Sequence, residues 1–299
     1  MLVSVIIPMY NRENTIKDAA MSVLNQTHKE LELIVVDDCS KDNSVAVVEE
    51  LARQDSRVRL IRSDKNGGAC VARNIGIDNA KGEIIAFQDS DDIWHDDKLA
   101  KCLKAIKEQD ADFVFSALRR IGDSGLKNEE DILPRYNMNE EKNPLEKILY
   151  LNCVSTQTIA AKSCVFDKVR FDNDMPRFQD WDLSIRVIKE GFKIYYIDEP
   201  LVDSYVLGDS ITANPKKAYL ATKLMEEKYK EDLEEYPVAY HGFYERAAYK
   251  YEEAGENGAG CFLKAYKSGK TVSLLLQYIL AKLRLYKGFS KVKAKLTGK

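Results

Sequence analysis

The chain has six cysteines in 299 residues, but no CxxC pair and no metal-ligand spacing among them. That excludes a cysteine-held zinc site or a thioredoxin-type motif and leaves free thiols in a reducing cytoplasm, most of them packed in the core, as the expectation. No apolar run approaches the ~20 residues of a membrane span. The opening "MLVSVIIPMYNR" lacks a basic flank and a small-residue cleavage site, and reads as a first strand rather than a signal peptide. Neither GxGxxG nor GxxxxGK[ST] occurs, so the dinucleotide and P-loop fingerprints are missing. Acidic residues run out altogether near the end. Residues 1–256 carry 35 basic and 48 acidic side chains, whereas from Asn257 onward there are ten Lys or Arg and no Asp or Glu. What remains is ample for a folded protein: 45% of residues are apolar, enough for a large α/β domain with an accessory region.

The first half alternates between two periods, as strands joined by crossover helices do. Strands are expected at 2–8, 31–37, 58–63 and 83–88. Helices are expected at 14–26, with Ile16, Ala19, Ala20, Val23 and Leu24 on one face, at 42–54, where Asp42 or Asn43 caps the first turn, and at 69–80. The predicted architecture is a mostly parallel sheet with helices on both faces. Ligands of such sheets bind beyond the carboxyl ends of the strands. Three polar sequences fall there: "PMYN", "DDCS" (37–40) and "DSDD" (89–92).

The last of these crowds three carboxylates into four positions, which raises their proton affinity unless a cation compensates. Asp89 and Asp91, two apart on an extended segment, point to the same side. Mg²⁺ or Mn²⁺ suits such a pair, because these ions take one or two carboxylates and complete their shell with substrate phosphates. The same acids also satisfy a different reading, the cap of a helix starting near Asp96. The glycines of "NGGACVARN" (66–74) serve a tight strand-to-helix turn or a ligand contact equally well.

Taken together, "SVIIPMYN", "VVDDCSKDNS", "NGGACVARNIGIDNAKGEIIAFQDSDD" and "FQDWDLSIRV" resemble, in order and spacing, the glycosyltransferases of family 2, over about residues 2–212. The resemblance implies a GT-A fold. A nucleotide-sugar-binding part (1–92) would continue into an acceptor-binding part (93–212), followed by a helical C-terminal region (213–299). It implies inverting, metal-dependent transfer from a nucleotide diphosphate sugar, a UDP-sugar by preference, to a glycan or lipid-linked acceptor in surface polysaccharide assembly. The family's roles, carried over position by position, put Pro8 and Tyr10 around base and ribose and Asp38 against uracil. Asn66 and Arg73 would line the nucleotide pocket, Asp89 would meet ribose or metal, Asp91 would coordinate Mn²⁺ or Mg²⁺, and Asp180 would be the base. Asp92 would support the site from behind or cap a helix. The residues alone also allow plainer tasks: Pro8 ending its strand, Tyr10 packing, Asp38 capping the helix at 42, Arg73 pairing with a helix-surface acid.

Two departures from the family pattern stand out. Gln179 occupies the place where an acid usually precedes the base, and Leu207 replaces a His that many relatives carry. Asp182 is expected to cap a helix beginning at "LSIRVIKEG", and Trp181 to face the acceptor or pack in the core. The polar stretch 123–143 is a lid candidate. Beyond Pro215 the chain turns helical, and residues 271–299 combine an apolar stripe with a purely basic flank. That suits either a helix on anionic lipid or a packing helix with a lysine tail. The expected location is the cytoplasm, at the inner face of the membrane, and no nucleic acid partner is expected. Two other classes compete: a nucleotidyltransferase, which would place a Gly- and Arg/Lys-rich loop where "PMYNRE" stands, and a catalytically idle carbohydrate-binding protein.

Overall fold

The computed structural model describes residues 1–122, 131–134, 137–205 and 214–286. The expectations for Leu207, for residues 287–299 and for residues 123–130 and 135–136 of the lid candidate lie outside them. The chain divides into two compact units: Met1–Lys142 with Cys153–Asp174 and Gln179–Gly208, and Asn143–Asn152 with Met175–Phe178 and Asp209–Lys299.

In the first unit the elements run β1 (Val3–Met9), α1 (Ile16–Leu24), β2 (Leu31–Asp37), α2 (Ser44–Gln54), β3 (Val58–Arg62), α3 (Gly68–Asp78), β4 (Ile84–Phe87), β5 (Ile93–Trp94), α4 (Lys98–Glu108), β6 (Phe113–Ile121) and β7 (Asp131–Leu133). After α5 (Pro144–Tyr150), which belongs to the other unit, follow β8 (Ala160–Lys162), α6 (Ser163–Lys168), α7 (Gln179–Lys189) and β9 (Ile194–Tyr205). One sheet holds all the strands of the described residues, in the order β3-β2-β1-β4-β8-β6-β9-β5, with β7 on β6.

The sheet is parallel where the periodicity was readable. β1 pairs in parallel with β2 and β4, and β2 with β3. Every residue of β2 is buried, and in β1 all but Pro8 are. This is what two covered faces demand, and it explains why these segments read as mostly apolar runs, with Ser4 and Glu32 bonded to each other where they interrupt them. The apolar face expected for α1 is the one it buries: Ile16, Ala19, Ala20, Val23 and Leu24. α3 lies close on β1 because position 76 is glycine; a Cβ there would come within 2.4 Å of Ile6 Cγ2. Beyond β4 the expectation of a mostly parallel sheet meets a mixed half. β8 runs antiparallel to both β4 and β6, and β5 antiparallel to β9, while β6 and β9 are parallel. Strands of two or three residues carry no period for a sequence to display.

The second unit is helical: α5, α8 (Pro215–Lys228), α9 (Lys230–Glu235), α10 (Pro237–Ala254), α11 (Ala259–Gly269) and α12 (Val272–Lys282). α5 joins the C-terminal helices through Tyr150, whose ring fills the notch at Gly242, where a Cβ would lie 2.2 Å from Cε2. The Arg246 guanidinium stacks on that ring at 4.4 Å from its centroid. α10 ends at Gly255 in the left-handed conformation, φ 89°, and Glu252 Oε1 receives the Gly258 amide at 2.8 Å.

Candidate active site

The carboxyl ends of the parallel strands lie level with one another: Met9 is opposite Asp37, and Asp37 opposite Arg62. The loops that leave them are therefore neighbours, and their polar side chains tie them together. Ser40 Oγ accepts the Asn11 amide at 2.9 Å, and Asn11 Oδ1 accepts the Lys41 amide at 2.8 Å. Ser44 Oγ accepts the Arg12 amide at 2.7 Å. Asp42 accepts both the Ser44 amide at 3.0 Å and the Glu13 amide at 3.1 Å, so it holds the first residue of α2 and braces the neighbouring loop at once, while the N-cap position itself is Asn43, whose side chain makes no cap bond. Pro8 lies inside β1 opposite Val36 and does not end the strand; Tyr10 is exposed at the rim.

Asp38 is almost fully buried, and it does not cap α2. Its two carboxylate oxygens receive the backbone amides of Gly67 and Gly68, at 2.7 and 2.8 Å. Asn66 Nδ2 donates to the Asp38 carbonyl at 2.9 Å. The Gly-rich turn after β3 is thus clamped by the acid that follows the neighbouring strand β2, and Gly68 occupies φ +82°, a conformation that side chains rarely tolerate.

The chemistry-bearing acids divide by environment. Arg73, buried on α3, sends Nη2 to Asp89 Oδ1 at 2.7 Å and Nη1 to Gln179 Oε1 at 2.8 Å. Its partner is therefore not a helix-surface acid but the first acid of the DxD sequence, together with the residue preceding Asp180. Its guanidinium also sits 5.4 Å from the centroid of Phe171. Asp91 is one-fifth exposed and faces Arg12 Nε at 3.6 Å. Asp92 is buried; it accepts the Tyr205 amide at 3.0 Å, and Gln88 Nε2 donates to its carbonyl at 2.7 Å. Burial first, then the charges of Asp89 and Asp91, push its carboxyl up to about 8. α4 takes its N-cap from Asp97, so none of the three crowded acids caps that helix.

α7 begins at Gln179, earlier than the sequence suggested, and this reassigns two residues. Asp182 is inside the first turn instead of at the cap; it is fully buried and paired with Arg186 one turn on, with Nε at 3.0 Å. Trp181 is buried in the core and presents no face to an acceptor. Asp180, half-buried in the first turn, receives the Trp181 amide on its own carboxylate at 2.8 Å, and its carbonyl accepts from Ser184. Cys70 feels the charges of Arg73, Asp172, Asp182 and Asp180; burial raises its thiol to about 12, so it is not a nucleophile at neutral pH.

Among the described residues no cluster of three or more His, Cys, Asp or Glu side chains forms a closed metal cage. Asp91 and Asp89 are nonetheless hard oxygen donors of the kind that hold Mg²⁺ or Mn²⁺ when diphosphate oxygens and water complete the shell. The donor set fits such an ion on those terms. Arg12, beside Asp91, and Gln179, bonded to Arg73, are the site residues whose roles spacing did not disclose. Arg12 was in view in "PMYNRE", but only the fold sets it next to Asp91.

The sequence and the fold have counterparts. The model of the family described as "Glycosyl transferase family 2" matches residues 4–166. TuaG of Bacillus subtilis (strain 168), a glycosyltransferase assigned by its name to teichuronic acid biosynthesis, is 32% identical over 221 residues, covering 73% of this chain and 84% of TuaG. S. aureus TarS 1-349, solved in complex with UDP-GlcNAc, shares the fold with a TM-score of 0.63 at 19% identity, over 97% of this chain and 92% of TarS 1-349. The mannosyltransferase PcManGT from Pyrobaculum calidifontis, solved with GDP-Man and Mn²⁺, has a TM-score of 0.64 at 18% identity, over 97% and 82% of the two chains.

Proposed function

Because the chain belongs to glycosyl transferase family 2 and is a glycosyltransferase, we propose that it transfers a sugar, with inversion and metal dependence, from a UDP-sugar to a hydroxyl of a glycan or lipid-linked acceptor. The setting we propose is surface polysaccharide assembly on the cytoplasmic side of the membrane. The naming of TuaG for teichuronic acid biosynthesis and the binding of UDP-GlcNAc by TarS support that choice. Residues 1–92 are the proposed donor part and 93–212 the proposed acceptor part. The observation that carries the reading is the Arg73 bridge, which ties Asp89 of the donor motif to Gln179, the neighbour of the proposed base, at 2.7 and 2.8 Å.

In the proposed reaction the acceptor oxygen attacks the anomeric carbon as the bond from that carbon to the diphosphate oxygen breaks. The acceptor proton passes to Asp180, and the nucleoside diphosphate leaves. Asp91, with Asp89, would hold the divalent ion, whose contribution is to neutralise the charge on the departing diphosphate. Pro8 and Tyr10 would frame the base and ribose. Asp38 would meet the base through the lone pairs left after its two glycine amides. Asn66 lines the same turn, and Arg73 fixes Asp89.

A screen of nucleotide sugars with Mn²⁺, scored by nucleotide release, tests this. The expected result is UDP release from a UDP-sugar that chelator abolishes. In Asp91→Ala, Mn²⁺ no longer strengthens UDP binding. Pyrophosphate release instead would favour a nucleotidyltransferase; binding of sugars without turnover of any donor would favour an idle carbohydrate-binding protein.

A further inference from the structure

α12 turns its most apolar side outward. Val272, Leu276, Ile279 and Leu283 are 83%, 47%, 43% and 61% exposed. They recur at i, i+4, i+7 and i+11, which places them on a single stripe of the helix surface. Leu275 and Leu280 border the stripe, half-buried. The inward side is less apolar: Leu274 and Ala281 are buried, and Gln277 donates to the Tyr249 hydroxyl at 3.0 Å. Helix packing normally gives the reverse arrangement, so the outward stripe is not explained by the fold of its own unit.

The chain that forms and flanks it carries one sign of charge, and the acids that face it come from α10, where Glu252 and Glu253 act on Tyr286 and Glu245 on Tyr249. Lys267, Lys270, Lys282 and Arg284 are exposed about the helix, and no acid occurs from Asn257 to Lys299, where ten basic residues do. At eleven residues α12 is far too short to cross a bilayer, and no helix among the described residues is long and apolar enough to do so. A short helix with an apolar face and basic flanks instead lies in the plane of a membrane surface, apolar side down, with lysines against anionic headgroups.

We infer that the stripe Val272, Leu276, Ile279 and Leu283 docks on a bilayer bearing anionic lipid. Charge decides the occupant: a second copy of the chain would set its own exposed Lys267, Lys270, Lys282 and Arg284 against these four, whereas an anionic surface complements them. The inference is independent of the donor and base assignments, because it requires neither nucleotide nor acceptor.

The experiment is co-sedimentation of the full chain, without nucleotide, with phosphatidylcholine vesicles and with vesicles of phosphatidylcholine mixed with phosphatidylglycerol. The expected result is binding to the anionic vesicles that is at least tenfold tighter than to the neutral ones and weakens with added salt. L276E/I279E should lose it at least tenfold while keeping its circular dichroism spectrum. Lys282→Gln, which removes one positive charge, should lose roughly fivefold, as one basic residue at a charged surface is worth. In Leu276→Trp, indole emission should shift to the blue on anionic vesicles, a readout that survives if the double variant fails to fold. Equal binding to both vesicle types, no binding, or an unshifted indole overturns the inference. So does a dimer in sedimentation velocity that L276E/I279E dissociates, since the stripe would then belong to a second copy.

Discussion

Arg73 Nη2 lies 2.7 Å from Asp89 Oδ1, and the same buried guanidinium reaches Gln179 Oε1, 106 positions along the chain. Two terminal nitrogens thus tie together three segments that the sequence presents separately. Gln179, where relatives are expected to carry an acid, keeps the bond because its amide oxygen still accepts. Replacing Arg73 by Met leaves Asp89 without its cation in a partly buried setting, at a cost of about 3 kcal/mol. The expected outcome is a Tm lower by roughly 5 °C and nucleotide binding weakened at least tenfold. Arg73→Lys recovers only part of this, since an ammonium cannot bridge both acceptors. Thermal melts and calorimetric titration with UDP check it.

The clamp of Asp38 on the Gly67 and Gly68 amides predicts a different signature. Asp38→Asn keeps the size but turns an NH₂ group toward one of two N–H donors, so one buried bond becomes a donor–donor clash. The expected cost is about 2 kcal/mol of stability, with weaker nucleotide binding as the turn loosens. If Asp38→Asn changed binding and left the melt untouched, the clamp would carry no structural weight.

Asp92 predicts a pH dependence. Its carboxyl is raised to about 8 against an ordinary value of 3.8, by burial and by Asp89 and Asp91. Between those values the folded state keeps a proton that the unfolded state has lost. This contribution is complete below about pH 4 and is lost as pH rises toward 8. In chelator, Asp92→Asn should therefore gain on the wild type from pH 5 to 8, by up to about 1.4 kcal/mol per pH unit. Urea unfolding at several pH values measures this; parallel curves would refute it.

The parallel half of the sheet was legible because β1 and β2 are buried on both faces and their helices bury one stripe. The antiparallel half was not, because β8 and β5 are too short to show alternation, and a register such as Phe113 opposite Ala161 rests on long-range pairing. In the site, the crowding of Asp89, Asp91 and Asp92 was visible as a pattern. Their different environments were not: a guanidinium from α3 for Asp89, Arg12 for Asp91, a backbone amide for Asp92. Asp182 was misplaced because helix onset was read from the apolar residues, whereas α7 starts on polar ones.

The central proposal is that Asp180 takes the acceptor proton while the donor is held elsewhere. Its most direct measurement is the pair of properties of Asp180→Asn: transfer rate with a UDP-sugar and acceptor, and UDP affinity with Mn²⁺. The account predicts transfer lower by at least about 100-fold, with UDP binding within about threefold of wild type. Near-normal transfer by Asp180→Asn would contradict it.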